Sequence, residues 1–134
     1  MPNAPLKQVK NGLIDYLVMD YLAEVTMSIM QKQRMKNPNY GYAHDVINVI
    51  EHILPDIAER GIKFVTNAGG VNPESCKDAI VALIEDLGFE NITVAVINGD
   101  DILPQIDELI NSGHHLKYRY RCRHKKRKGP LVER

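Results

Sequence analysis

The residues whose side chains could do chemistry are concentrated in three short segments of the sequence: 20–24, 67–72 and 98–101. The first segment contains Asp20 and Glu24, the candidate catalytic carboxylates, which are four residues apart. If a helix begins early between them, both can face one pocket and act as general acid and base. Asp100 and Asp101 could cap a helix, hold a substrate hydroxyl, or join the first pair around a divalent cation. For each carboxylate, a cap or a solvated charge is the structural alternative.

The glycine-rich segment 67–72, NAGGVN, is predicted to form a turn that binds an anion or an acyl oxygen. Gly69 and Gly70 permit a sharp turn with positive φ, and Asn72 is suited to cap the helix that follows. The free N–H groups at that helix start attract a phosphate, a carboxylate or an acyl oxygen. Alternatively, the glycines only allow the helix to pack closely on the strand. The predicted substrate-binding and anion-binding residues are Asn67, Gly69, Gly70, Asn72, Gly99, Asp100 and Asp101.

The sequence identifies no cofactor and no metal site. Segment 67–72 lacks the GxGxxG spacing of dinucleotide folds and the GxxxxGK[ST] pattern of nucleotide triphosphate loops. His44 and His52 are too far apart in sequence to form a metal pair on a helix. Cys76 is predicted to lie on the first turn of a helix, which favours a thiolate, but no histidine accompanies it. A reactive thiol is therefore not the favoured interpretation.

Three short apolar runs are predicted to be the strands that precede these segments: 14–19, 62–66 and 92–97. The last run is apolar throughout, which is typical of a strand buried on both faces. The order strand, glycine turn, helix, strand predicts a right-handed parallel crossover. The predicted fold is therefore α/β, with a parallel, Rossmann-like sheet of at least three strands and crossover helices. Ligands of such sheets bind outside the carboxyl ends of the strands, so the three polar segments are expected to surround one cleft.

Helical periodicity and breaker residues predict the remaining elements. The crossover helix is expected to begin with Pro73 at its first position and to end before Gly88. A preceding helix is expected from about residue 43 to Gly61, with Pro55 either kinking or restarting it. The other predicted helices are 22–36 and 104–111.

The composition is that of an ordinary soluble protein. Of 134 residues, 44% are apolar and 25% are charged, which argues against a disordered or membrane class. No apolar run is long enough to span a membrane, and residues 1–12 contain no secretory signal. The cysteines, Cys76 and Cys122, are far apart, as is typical of a reducing compartment. The predicted location is the cytoplasm, without a membrane partner.

The charges are divided unevenly along the chain. Residues 1–116 contain 8 basic and 16 acidic residues, whereas residues 117–134 contain 9 basic and 1 acidic. The predicted organisation is a loose lead-in at 1–12, an α/β domain at 13–116, and a basic tail at 117–134 that is disordered or foreign to the domain. The tail sequence KYRYRCRHKKRK at 117–128 could neutralise phosphates and stack bases. A nucleic-acid-binding protein is therefore an alternative function.

From about Leu13 to Leu116 the chain resembles the acyclic terpene utilisation family, whose founding bacterial members belong to gene clusters that degrade citronellol and geraniol. The resemblance is carried by three segments: LIDYLVMDYLAEVTMSIM (13–30), NPNYGYAHDVINVIEHILPDIAERGIKFVTNAGGVNPESC (37–76) and VAVINGDDIL (94–103). It implies a cytoplasmic α/β domain that acts on, or binds, an acyl or terpenoid intermediate of branched-chain catabolism. The family-like loops contain Asp20, Tyr21, Glu24, Asn67, Gly69, Gly70, Asn72, Pro73, Gly99, Asp100 and Asp101.

Two departures from the family pattern predict a fragment of a larger protein. Family members have a glycine-rich strand and loop before the part that matches Leu13, and they continue past Leu116, where the charge pattern changes here. The implied partner is a small anionic or acyl substrate. A noncatalytic binding module, a nucleic-acid partner and a homo-oligomer are the open alternatives.

Overall fold

The computed structural model describes residues 3–113, and the basic segment 117–128 lies outside them. The described residues divide into two compact units, and the boundary between them lies after Asn98. None of the helices among residues 3–113 combines the length and apolarity needed to cross a bilayer. The elements are α1 (Asn3–Asn11), β1 (Tyr16–Met19), α2 (Glu24–Lys36), α3 (Asp45–Arg60), β2 (Lys63–Thr66), α4 (Pro73–Asp86), a 3₁₀ turn (Leu103–Gln105) and α5 (Ile106–Asn111).

Strands β1 and β2 pair in parallel, as predicted for the first two apolar runs. The register sets Tyr16 opposite Lys63 and Met19 opposite Thr66. Because the strands are parallel and end at paired residues, both carboxyl ends lie at the same edge. This confirms the mixed α/β character and the common edge for the first two polar segments.

The predicted third strand is wrong for the described residues, whose sheet contains two strands. Residues 92–102 have no regular secondary structure. Exposure alternates along them: Ile92 and Val94 are half-buried against the core, whereas Ile97 is 96% exposed. The run therefore buries one face, not two. An apolar run tends to be buried, and this much can be read from its composition. To form a strand, however, its backbone must also exchange hydrogen bonds with the free edge of a neighbouring strand. The described residues thus contain no three-stranded Rossmann-like sheet.

Helix α3 contributes buried side chains to two hydrophobic clusters and so joins them. The cluster that includes Cys76 and Ile84 of α4 is called the α4-side cluster, and the one that includes Val9 of α1 is called the α1-side cluster. Phe64 of β2 packs against both. Residues four apart in a helix form a row along one face. Two adjacent rows can therefore pack into two different clusters. The rows are Val46, Ile50 and Leu54 toward the α4-side cluster, and Val49, Ile53 and Ile57 toward the α1-side cluster.

The ends of α3 and α4 follow their sequence signals. Helix α3 runs through Pro55 without interruption and ends at Gly61, whose φ is 66°. Helix α4 begins at Pro73 behind the cap Asn72, and Gly88 follows its last turn with φ 76°. Glycine adopts positive φ without the steric penalty that a Cβ introduces, so both helix ends are confirmed as predicted.

The segment predicted as a loose lead-in contains α1. Val9 is completely buried, and the Arg60 guanidinium donates hydrogen bonds to the carbonyl oxygens of Val9 and, at 2.6 Å, Gly12. Pro5 lies in the first turn, where the missing N–H has no helical partner in any case. Proline and glycine near a helix end therefore misled the sequence interpretation, and α1 is held to the end of α3 by long-range contacts.

We expect Arg60→Ala to lower the free energy of unfolding by about 1–3 kcal/mol, because two carbonyl oxygens at the end of α1 lose their donor. Urea unfolding followed by circular dichroism measures the change. Glu59→Ala, at the neighbouring exposed position, is the matched control and should stay within about 0.5 kcal/mol of the parent. Equal effects of the two substitutions would contradict the docking of α1 through Arg60.

Candidate functional site

The carboxyl ends of β1 and β2 are joined by a pair of side chains, Asp20 and Asn67, which we call the carboxyl-edge clamp. The Asn67 Nδ2 donates to Asp20 Oδ1 at 2.6 Å, and the Tyr21 N–H donates to Asn67 Oδ1 at 2.8 Å. The Leu22 N–H also donates to Asp20 Oδ1, at 3.1 Å. The register explains the contact, since Asp20 and Asn67 directly follow the paired residues Met19 and Thr66. Two of the three predicted polar segments therefore meet.

The clamp keeps the Asp20 carboxylate ionised. Its pKa lies below the ordinary value because the Asn67 side chain and, secondly, the Leu22 N–H donate to the charged form, while slight desolvation acts in the opposite direction. The side chain is exposed. A carboxylate stabilised in this way is a hydrogen-bond acceptor or weak base at neutral pH, and it is a poor general acid.

Glu24, the predicted partner of Asp20, is the first residue of α2 and is exposed. Its backbone oxygen accepts from the Ser28 hydroxyl at 3.1 Å. Within residues 3–113, no hydrogen bond or ion pair joins its carboxylate to Asp20. The shared acid and base roles of these residues therefore stay a prediction.

The loop 67–72 uses most of its N–H groups inside the protein. Ala68 donates to Thr66 Oγ1 at 3.1 Å, Gly70 to the Asn67 oxygen at 3.1 Å, and Asn72 to the Gly69 oxygen at 2.9 Å. Val71 donates to the Gly41 oxygen, also at 2.9 Å. Among the described residues, the Gly69 N–H has no acceptor. The predicted anion site therefore has fewer free donors than the glycine content suggested.

Asn72 is buried and has a structural role besides capping α4. Its Oδ1 accepts from the Ser75 N–H at 3.5 Å, and its Nδ2 donates to the carbonyl oxygens of Pro38 and Tyr40 at 2.7 and 2.8 Å. Both Nδ2 hydrogens are thus engaged. The side chain ties the turn after α2 to the start of α4.

The loop that follows α2, residues 37–44, reaches the same edge, which sequence analysis did not foresee. The Ala43 N–H donates to the Ala68 oxygen at 2.8 Å. The His44 ring stands against the rings of Tyr40 and Tyr42, with centroids 4.9 and 4.1 Å apart. The turn composition NPNYGY was visible in the sequence, but the contact with loop 67–72 was not. No group of three metal-ligating side chains occurs in residues 3–113.

A comparison with protein-family models shows the family to which the chain belongs. The model of the acyclic terpene utilisation family protein AtuA matches residues 1–132. The chain belongs to the acyclic terpene utilisation family. The family match extends beyond the resemblance at 13–116 and includes α1 and the basic segment 117–128. Searches of curated proteins and of solved structures found no match.

Three residues of the third polar segment, Gly99, Asp100 and Asp101, lie in the second compact unit of this family member. Gly99, Asp100 and Asp101 precede the 3₁₀ turn, and all three are exposed. Gly99 has φ 133°, which favours glycine. Their approach to the carboxyl-edge clamp stays a prediction.

Cys76 is a packing residue of the α4-side cluster. It is 4% exposed, and burial raises the pKa of its thiol to about 11. The neutral thiol therefore predominates at physiological pH, and the helix start does not activate it. This agrees with the interpretation that Cys76 is not reactive.

The concavities found in the first unit lie away from the clamp. One, of about 420 Å³, opens beside the last turn of α4 and is lined by residues such as Ile84, Glu85, Phe89 and Ile92. The clamp lies toward the other end of α4, near Asn72. A helix of this length extends about 20 Å. This concavity and the predicted site are therefore separate features.

Gly70 fixes how closely the loop approaches α2 and the 37–44 loop, and its φ is 55°. A Cβ there would collide with Met30 Sδ and would lie 2.8 Å from the Gly41 oxygen. We expect Gly70→Ala to lower the free energy of unfolding by about 2–4 kcal/mol, from backbone strain plus overpacking.

Gly88→Ala is the matched control for that substitution. Gly88 also has positive φ, but nothing lies within 4 Å of a Cβ built on it. Gly88→Ala should lower the free energy of unfolding by about 1 kcal/mol, from backbone strain alone. Thermal or urea unfolding compares the two variants, and equal losses would contradict the crowding at Gly70.

We expect Asn67→Ala to raise the pKa of Asp20 toward its ordinary value, because the larger of its two donors is removed. A carboxyl whose pKa is depressed by folding stabilises the protein above its unfolded pKa, and this contribution is lost on acidification. The stability difference between parent and variant should therefore be largest at neutral pH and narrow in acid.

An NMR titration of the Asp20 carboxyl carbon measures the pKa shift, and urea unfolding across pH measures the stability difference. Asn48→Ala, on the exposed side of α3, is the control and should leave Asp20 unchanged. An unaltered Asp20 titration in Asn67→Ala would contradict the clamp.

Proposed function

We propose that this protein binds or transforms an acyl or terpenoid intermediate of branched-chain catabolism at the carboxyl edge of β1 and β2. Membership of the acyclic terpene utilisation family supports a terpenoid ligand. The observation that carries the location is the carboxyl-edge clamp, in which Asn67 holds the ionised Asp20 at the end of the parallel strands. Ligands of parallel α/β sheets are expected at this edge.

Asp20 is oriented to receive a hydroxyl group. Both of its hydrogen bonds from the protein go to Oδ1, from Leu22 and Asn67. Among the described residues, none donates to Oδ2, which can therefore accept from a ligand hydroxyl. An ionised carboxylate held by two fixed donors requires little reorganisation when such a hydroxyl arrives.

The other predicted site residues have supporting roles in this proposal. The Gly69 N–H, which has no acceptor in the described chain, is available to a ligand oxygen. Glu24, exposed at the start of α2, is the candidate for proton transfer.

Ligand titration by calorimetry tests the proposal, with geraniol and citronellol as probes and the full chain as the protein. We expect binding by the parent, and a loss of about tenfold or more in affinity for Asp20→Asn, because a charge-assisted hydrogen bond is weakened. Asp15→Asn, the same change in an exposed residue before β1, is the control.

The proposal is overturned if the parent binds neither probe, or if Asp20→Asn and Asp15→Asn bind alike. Glu24→Gln separates an enzyme from a binding module. In an enzyme it abolishes turnover of the bound probe and leaves affinity nearly unchanged. In a noncatalytic module it affects only affinity.

A further inference from the structure

Tyr21 is held in place at the carboxyl edge by both its backbone and its ring. Its N–H donates to Asn67 Oδ1 at 2.8 Å, so the residue is part of the hydrogen-bond system of the clamp. Its ring is half-buried and packs against the α4-side cluster. The position of the phenol is therefore set by the clamp, through the backbone, and by the α4-side cluster, through the ring.

The hydroxyl of Tyr21 is excluded from solvent and has no hydrogen-bond partner among the described residues. Leaving a buried polar group unpaired is unfavourable, and most buried polar groups in proteins are paired. A phenylalanine would make the same ring contacts without that cost. An unpaired buried hydroxyl, on a residue whose backbone belongs to the clamp, is the arrangement expected of a donor that is completed by a ligand.

The charges around this hydroxyl select the kind of oxygen that it could bind. Burial, and secondly the negative Asp45 at the start of α3, raise the pKa of Tyr21, so the phenol stays protonated and donates. A carboxylate or phosphate bound to this buried hydroxyl would be repelled by the Asp45 charge. A neutral carbonyl oxygen would accept the bond without that repulsion.

We propose that the Tyr21 hydroxyl donates a hydrogen bond to a neutral carbonyl oxygen of the ligand, such as that of an ester, thioester or aldehyde. This inference rests on the proposed function and adds that, among ligands with a carbonyl group, uncharged compounds are bound in preference to carboxylates. Entry of the ligand displaces part of the apolar packing around the hydroxyl. Met30, a member of the same cluster, is the unbranched side chain best suited to adapt.

The test uses methyl geranate, a neutral ester, and geranate, the corresponding carboxylate, in calorimetric titrations of the full chain. The parent is expected to bind the ester more tightly than the carboxylate. Tyr21→Phe should weaken ester binding by about tenfold, the loss of one hydrogen bond. The same variant should keep or raise the melting temperature, because the unpaired hydroxyl is gone. Tyr16→Phe removes an exposed phenol hydroxyl at the opposite end of β1, which accepts only an exposed hydrogen bond from Lys63 Nζ at 3.3 Å, and should change neither quantity by a comparable amount.

Three outcomes overturn this inference. They are equal ester affinity for Tyr21→Phe and the parent, geranate binding as tightly as the ester, and a fall in melting temperature together with affinity, which indicates a structural role. If Asp20→Asn weakens binding but Tyr21→Phe does not, the result supports the proposed site and contradicts the role of the Tyr21 hydroxyl. If the parent binds neither the terpenoid alcohols nor these two probes, both proposals fall.

Discussion

The Asn67 side chain joins the carboxyl ends of β1 and β2 by hydrogen bonds. The arrangement of the polar residues at this edge depends on those bonds. One amide side chain donates to Asp20 and accepts from the Tyr21 N–H. It can do both only because the strands are parallel and end in register. The register is in turn maintained by Phe64 and by α3, which packs on both sides of the core. Packing thus determines the positions of the two strand ends, and the hydrogen bonds at the edge determine the charge state of Asp20.

The polar residues of the edge divide into those that hold the architecture and those that are left for a ligand. Asn72 and most N–H groups of loop 67–72 bond to the protein, because turns that leave the sheet must satisfy their backbone groups. Among residues 3–113, the groups left without a protein partner are the Oδ2 of Asp20, the Gly69 N–H and the Tyr21 hydroxyl. In the proposed site, this combination favours a neutral oxygen-containing ligand over an anion. Membership of the acyclic terpene utilisation family is consistent with such a ligand.

The sheet itself is only partly covered in the described residues. Val18 is 69% exposed and Val65 is 49% exposed, and the register sets them opposite each other on one face. Parallel sheets are normally covered on both faces, since their strands are apolar on both. The apolar run 92–97, expected to extend this sheet, instead lies with alternate residues against the core. The same apolar composition serves either arrangement, which is why the run could not be distinguished from a third strand by sequence.

The sequence alone determined the features that depend on near neighbours. Helix α4, with Asn72 and Pro73 before it and Gly88 after it, was predictable because caps and breakers act within one turn. The tertiary structure decided what depends on residues far apart in the chain. The bond between Asn67 and Asp20 spans 47 residues, and α1 is held to Arg60, 51 residues beyond Val9. No local pattern encodes such contacts, because they form only after packing has brought the segments together.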